Sequence, residues 1–147
     1  MSVVKYVKLN ENAIVPSYGT EFSAGADIYA LLDKNSVTIN PGETYLVHTG
    51  IAIEIPKGYA GFVFARSGLS TKKGLAPANK VGVIDCDYRG EIMTPLYNQS
   101  SKPQTIENGE RIAQIVFMPY IKADFQCAQN LDESDRSTGG FGSTGEK

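Results

Sequence analysis

Five stretches of the chain hold residue types that could handle a phosphorylated ligand. The C-terminal run Arg136-Ser137-Thr138-Gly139-Gly140-Phe141-Gly142-Ser143-Thr144-Gly145 sets a guanidinium, an aromatic ring, hydroxyls and glycines side by side. A polyphosphate nucleotide could use all of them: glycine amides approach oxyanions closely, the guanidinium offers a planar fork, and Phe141 offers a face for a base. Read alone, the same composition fits a disordered Gly/Ser/Thr terminus better. A second stretch, Gly82-Val83-Ile84-Asp85-Cys86-Asp87-Tyr88-Arg89-Gly90-Glu91, has the composition of a β-hairpin with an acidic tip. Such a tip would hold Asp85 and Tyr88 near a concave turn. Asp85 as a general base needs a water in hydrogen-bond reach and an electrophile beyond it. The alternative is that Asp85 and Asp87 only bond turn amides and that Tyr88 is a core residue.

The remaining stretches suit anion binding. In Ala65-Arg66-Ser67-Gly68-Leu69-Ser70 a strand gives way to a short helix, so amides, the Ser67 hydroxyl and a guanidinium converge; an ordinary N-cap beside a surface arginine is the simpler alternative. Gln114 lies in the otherwise apolar run 112–117 and must find polar partners there, either within the fold or on a phosphate. Asp27, among the small residues of Ser23-Ala24-Gly25-Ala26-Asp27, is either a turn residue or a carboxylate that holds the waters of a magnesium ion. His48, the only histidine, has no acid at an orienting spacing and reads as structural. No Ser/His/Asp or Cys/His set can be assembled, which disfavours covalent catalysis.

The elements that must position these groups are strands. Runs rich in Val, Ile, Tyr and Phe at 3–9, 44–48, 51–55, 59–65, 91–97 and 112–120 recur between Gly, Pro and Asn punctuation. This spacing predicts an all-β sandwich or barrel. Ile51, Ile53 and Ile55 alternate with Ala52 and Glu54, the pattern of a strand with one buried face, and Pro56-Lys57-Gly58 reads as a tight turn. The one helix expected runs from Ser67, as its cap, to Gly74. We expect one domain over 1–128, followed by an arm over 129–147 that is mobile when empty.

Bulk properties limit the function classes. The 147 residues suffice for one core without metal or disulfide staples. With 14 basic and 16 acidic residues the net charge is −2, so no global field favours nucleic acid or a membrane surface. No apolar run reaches spanning length and the start lacks a signal-peptide order, which points to a soluble cytoplasmic protein. Cys86 and Cys127 are too few for a disulfide framework or a zinc cluster.

Five ordered segments, SAGADIYA, ARSGLS, NKVGVIDCDYRGE, GERIAQIVF and RSTGGFGSTG, resemble the motifs of the homotrimeric dUTP diphosphatases, from Ser23 to Gly145. The resemblance implies a β jelly roll that hydrolyses dUTP to dUMP and pyrophosphate, keeping uracil out of DNA and supplying dUMP for thymidylate synthesis. It makes Asp85 the base that activates water and Tyr88 the ring that stacks on deoxyribose and excludes a 2′-hydroxyl. Asn79, Val83, Ile84 and Met93 become base and sugar contacts. Arg66, Ser67, Gly68 and Gln114 match phosphate-binding positions, with Arg111 in support, and Asp27 matches the acid that orients Mg2+-bound water. Arg136, Phe141, Gly142, Ser143 and Thr144 fall on the arm that closes over γ-phosphate and uracil. Where the family commonly has glycine after the arm's arginine, this chain has Ser137. The resemblance also implies a homotrimer with shared active sites. The competing readings are a dCTP deaminase-like relative, which would release ammonia, and a non-catalytic nucleotide-binding β-barrel protein, which would have no need of Asp85 as a base.

Overall fold

The computed structural model describes residues 3–134, 137, 138 and 140. Among the described residues eleven strands and one helix are laid down in the order β1 Lys5–Lys8, β2 Ser17–Tyr18, β3 Ala26–Tyr29, β4 Ser36–Ile39, β5 Thr44–Glu54, β6 Tyr59–Phe64, α1 Ser67–Lys72, β7 Leu75–Pro77, β8 Gly82–Ile84, β9 Glu91–Asn98, β10 Gln104–Glu107 and β11 Arg111–Pro119. They form a four-stranded sheet β1-β5-β9-β7, a five-stranded sheet β2-β3-β11-β6-β8 and a two-stranded ribbon β10-β4. The fold is therefore all-β and sandwich-like with one short helix, as the alternation and punctuation predict.

One core joins all three sheets. Val47, Ile51, Ile92 and Leu96 from the first, Ile28, Val63 and Ile115 from the second, and Ile39 and Ile106 from the ribbon belong to one buried cluster. In β9, Ile92, Thr94, Leu96 and Asn98 are buried in alternation with half-buried Glu91, Met93, Pro95 and Tyr97, so every second residue enters the core. Asn98 is fully buried and satisfied: its amide donates to the Ile39 and Lys102 carbonyls at 2.8 Å each, and its oxygen accepts from Ser100. Burying it costs little because each polar atom has a partner.

The details depart from expectation in three places. The runs 44–48 and 51–55 are one strand, β5, whose pairing with β9 shifts register between His48 and Ala52. The end of the helix is as expected: Lys73 is its C-cap, and Gly74 terminates it at φ +67°, a left-handed turn suited to glycine. The N-cap is Arg66 in extended backbone, without a side-chain cap bond, so Ser67 is the first helical residue and not the cap. The segment 82–91 does not close as a hairpin: β8 pairs with β6 while β9 pairs with β5 and β7, so the acidic stretch crosses from one sheet to the other. Beyond Tyr120 the described residues to 134 form no helix or strand and are exposed throughout.

Candidate functional site

The centre of the five-stranded sheet aligns three of the predicted residues or their neighbours. On β11, Gln114 stands opposite Asp27 of β3 on one side and Phe64 of β6 on the other. Directly opposed residues share a face of a sheet, so a polar amide and a carboxylate emerge together where β6 ends. The chain then turns through Ala65 and Arg66 into α1. A cleft of about 460 Å³ results, bordered by Asp27, Arg66, Ser67, Gly68, Arg111 and Gln114.

Charge organises this cleft. Arg66 Nε donates to Asp27 Oδ1 at 2.6 Å and Arg111 donates to Asp27 Oδ2 at 3.2 Å. Two guanidiniums against one carboxylate leave an excess positive charge beside amides of the first helical turn, which have no intrahelical acceptors. Gln114 Nε2 donates to the Ala65 carbonyl at 2.9 Å, tying β11 to the residue before Arg66. Gly25 makes this possible, since a β-carbon there would collide with the Gln114 amide oxygen. At Gly68 a β-carbon would meet nothing within 4 Å. No crowding from the protein requires glycine there, and the space above it is open to a ligand. A larger and mostly apolar cleft, about 650 Å³ between the β1 and β2 side of the fold and Phe117, contains none of the predicted residues. Size alone would favour it; the smaller one holds the guanidiniums and helix amides that suit an anion.

The acidic stretch forms a separate cluster. Asp85 leaves β8 and closes a turn in which the Tyr88 amide donates to the Asp85 carbonyl at 3.1 Å. Arg89 reaches back to the Cys86 and Tyr88 carbonyls at 2.8 and 2.9 Å. Tyr88 donates its hydroxyl to the Glu91 carbonyl at 3.0 Å and remains 40% exposed, so it is not a core residue. Among the described residues the carboxylates of Asp85 and Asp87 make no hydrogen bond, and both side chains face solvent. Turn bonding therefore does not account for Asp85. Val83 is exposed, Ile84 packs on the core edge, and the exposed Asn79 lies against Gly82. Met93, half-buried on β9, stands opposite His48.

The two clusters do not meet within one chain. Ile84 pairs with Gly61 and Gly82 with Val63, so β8 runs away from Arg66 and delivers Asp85 beside Ala60. From there to the Phe64 end of β6 is four residues, about 13 Å at the usual strand rise. Arg136, Phe141, Gly142, Ser143 and Thr144 lie outside the described residues. Ser137 is described and takes φ +43°, in the left-handed region that favours glycine.

The partner of His48 had no sequence signal. His48 Nδ1 lies 2.9 Å from Glu91 Oε2, across 43 residues. Burial by itself would raise the Glu91 carboxyl, but bonds from His48 and from the Gly50 and Thr49 amides outweigh it and hold the group below its ordinary value of 4.5. The Tyr120 phenol is raised, first by its contact with Cys86 and then by charge from Cys86, with Asp85 and Asp87 adding to it.

Comparison with known proteins is consistent along the whole chain. The sequence model of the dUTPase family matches residues 11–145. The deoxyuridine 5'-triphosphate nucleotidohydrolase of Desulfitobacterium hafniense is 50% identical over 143 residues, 97% of this chain and 94% of the relative. Among solved structures, a variant of the Staphylococcus bacteriophage 80alpha dUTPase with dUpNHpp is 26% identical, covers 99% of both chains and has a TM-score of 0.89. A variant of the dUTPase from phage phi11 of S. aureus, described with a structural Mg(II) ion, is 23% identical over 90% of this chain and 100% of its own, with a TM-score of 0.80. That last likeness speaks for the fold alone.

Proposed function

The chain belongs to the dUTPase family and is an enzyme of dUTP hydrolysis, and from this premise we propose that it forms dUMP and pyrophosphate by attack of an Asp85-activated water on the α-phosphorus. The observation that supports these roles is the contrast between two acids. Asp27 has both oxygens engaged by guanidiniums, whereas Asp85 is exposed and has no side-chain bond among the described residues. Only the second is available to take a proton from water.

The chain's own residues then divide the work. Arg66, with the amides and hydroxyl at Ser67 and the open face of Gly68, meets the phosphate oxygens; Gln114 adds an amide, and Arg111 shares the Asp27 carboxylate that aims Arg66. Preorganised donors of this kind gain strength where developing charge is shielded from water. Tyr88 presents its exposed face to deoxyribose, and Asn79, Val83, Ile84 and Met93 surround the base and sugar. The arm bearing Arg136, Phe141, Gly142, Ser143 and Thr144 closes over γ-phosphate and uracil, excluding water from the phosphates.

Magnesium, implied by the family, fits this cleft through water. Among the described residues Asp27 is the one carboxylate bordering it, each of its oxygens keeps a lone pair beyond the arginine bonds, and no group of three or more His, Cys, Asp or Glu converges. Most ligands would come from the triphosphate itself. Bound there, the ion would draw charge from the phosphates as pyrophosphate leaves.

A shared site among three copies explains why the clusters stand apart. In a homotrimer, the Asp85 turn of one copy would face the cleft of a neighbour, and a third would supply the arm. Location in the cytoplasm is in keeping with a nucleotide substrate, and no helix of the described residues is long and apolar enough to cross a membrane. The test of the chemistry is Asp85→Asn, which keeps shape and loses the proton acceptor. Turnover of dUTP should fall by about 10²- to 10⁴-fold while a non-hydrolysable dUTP analogue still binds. Near-normal turnover would remove Asp85 from the mechanism.

A further inference from the structure

His48 and Glu91 have no part in the chemistry above, yet they are built into the support of Tyr88. At the register shift in β5 the amides of Thr49 and Gly50 turn away from the ladder and need acceptors. Glu91 Oε1 takes both, at 3.0 and 2.7 Å, while Oε2 takes His48 Nδ1 at 2.9 Å. Gly50 adopts φ +67°, and a β-carbon there would press on Leu31 and Ala13, so the bulge is itself fixed. The Glu91 side chain is thus pinned at three points and its backbone cannot drift.

That backbone is what holds the ring. The Glu91 carbonyl accepts the Tyr88 hydroxyl at 3.0 Å. Gly90 lies directly under the phenol, where a β-carbon would collide with both ring and hydroxyl. The ring is held at its tip and confined beside Gly90, while 40% of the residue stays exposed. A platform excludes an additional hydroxyl only if it cannot retreat, because an ångström of yield would admit the larger sugar.

We infer that the His48–Glu91 pair, together with Gly90, is a positioning device for Tyr88 and so a determinant of discrimination between deoxyribose and ribose. The inference rests on the reading of Tyr88 as the sugar platform. His48 acts through Glu91 and touches no substrate.

The experiment uses the full chain and measures kcat/KM for dUTP and UTP together with the ring resonances of Tyr88 in ligand-free protein. The His48 side chain is 55% exposed, so His48→Ala leaves the fold intact even if Glu91→Gln does not. Both changes should lower the dUTP-over-UTP ratio by about three- to tenfold, mainly through a lower KM for UTP, and should shift or broaden the Tyr88 signals. His48→Asn, whose amide stands in for Nδ1, should restore both. In a Tyr88→Phe background, where the hydroxyl bond is already gone, His48→Ala should add little. An unchanged ratio with unmoved resonances, or a full additional loss in the Tyr88→Phe background, overturns the inference. If Tyr88→Ala itself keeps the wild-type ratio, the sugar-platform reading has failed, and the inference falls with it.

Discussion

Gly68→Ala should separate stability from activity. Gly68 is the second residue of α1, and a β-carbon at this position meets no atom within 4 Å. The added methyl therefore costs no packing, and replacing glycine by alanine in a helix stabilises by up to about 1 kcal/mol, less near an end. For a chain of this size that corresponds to a rise in Tm of about 1–3 °C. Activity should move the other way. If phosphate oxygens approach the backbone at 68 to hydrogen-bond distance, a methyl in that space holds them off, and losing one such charge-assisted bond costs about 1.5–3 kcal/mol, or roughly ten- to a hundredfold in kcat/KM. Gly25→Ala is the contrasting case. Its methyl would overlap the Gln114 amide and break the bond to Ala65, so both thermal stability and turnover should drop. Thermal unfolding and steady-state dUTP hydrolysis of both variants decide the matter. Full activity in Gly68→Ala would refute phosphate binding at that backbone, and a lowered Tm would refute the open space above it.

Two further outcomes follow from single observations. The ionised Glu91 carboxylate is favoured by the fold, so its contribution is fully present above about pH 4.5 and is lost as pH falls through its lowered folded value. The difference in Tm between wild type and Glu91→Gln should therefore be constant near neutrality and shrink in acid; a difference that grows on acidification would reverse the assignment. Ser137 holds φ +43°, where an L-residue is strained by about 1 kcal/mol, so Ser137→Gly should raise kcat/KM by up to about fivefold if the arm adopts this turn over the substrate. A fall in kcat/KM would show that the arm closes with another backbone path.

The strands were legible where apolar residues recur. β5, β6, β9 and β11 carry half of the buried core cluster and stand within a few residues of the runs that announce them. β4 and β10, by contrast, bury one residue each, Ile39 and Ile106, and short polar strands of this kind leave no periodic signal. The stretch 82–91 read as a hairpin because both flanks are strand-like and the tip is turn-rich, but β6 offered β8 a longer-range partner, and local turn chemistry cannot anticipate that. In the site, residue types pointed to an anion at Arg66 and to an acid at Asp85. The ion pairs from Asp27 to Arg66 and Arg111 span 39 and 84 positions, so their convergence comes from the β3-β11-β6 register and not from any local pattern. His48 and Glu91 escaped for the same reason: the acid that orients the histidine lies on a different strand.

The central claim is that the base of one copy serves the phosphate cleft of another, and mixed oligomers test it most directly. Asp85→Asn and Arg66→Ala each disable one half of the site and leave the other intact. Co-refolded in equal amounts, they should recover about a quarter of wild-type dUTP hydrolysis, because each site needs an intact turn and an intact cleft drawn independently from two copies. Recovery near that level, with either variant alone inactive, is the predicted result. No recovery, once mixed oligomers are shown to have formed, would contradict the account and place the Asp85 turn and the cleft of a single chain in the same site.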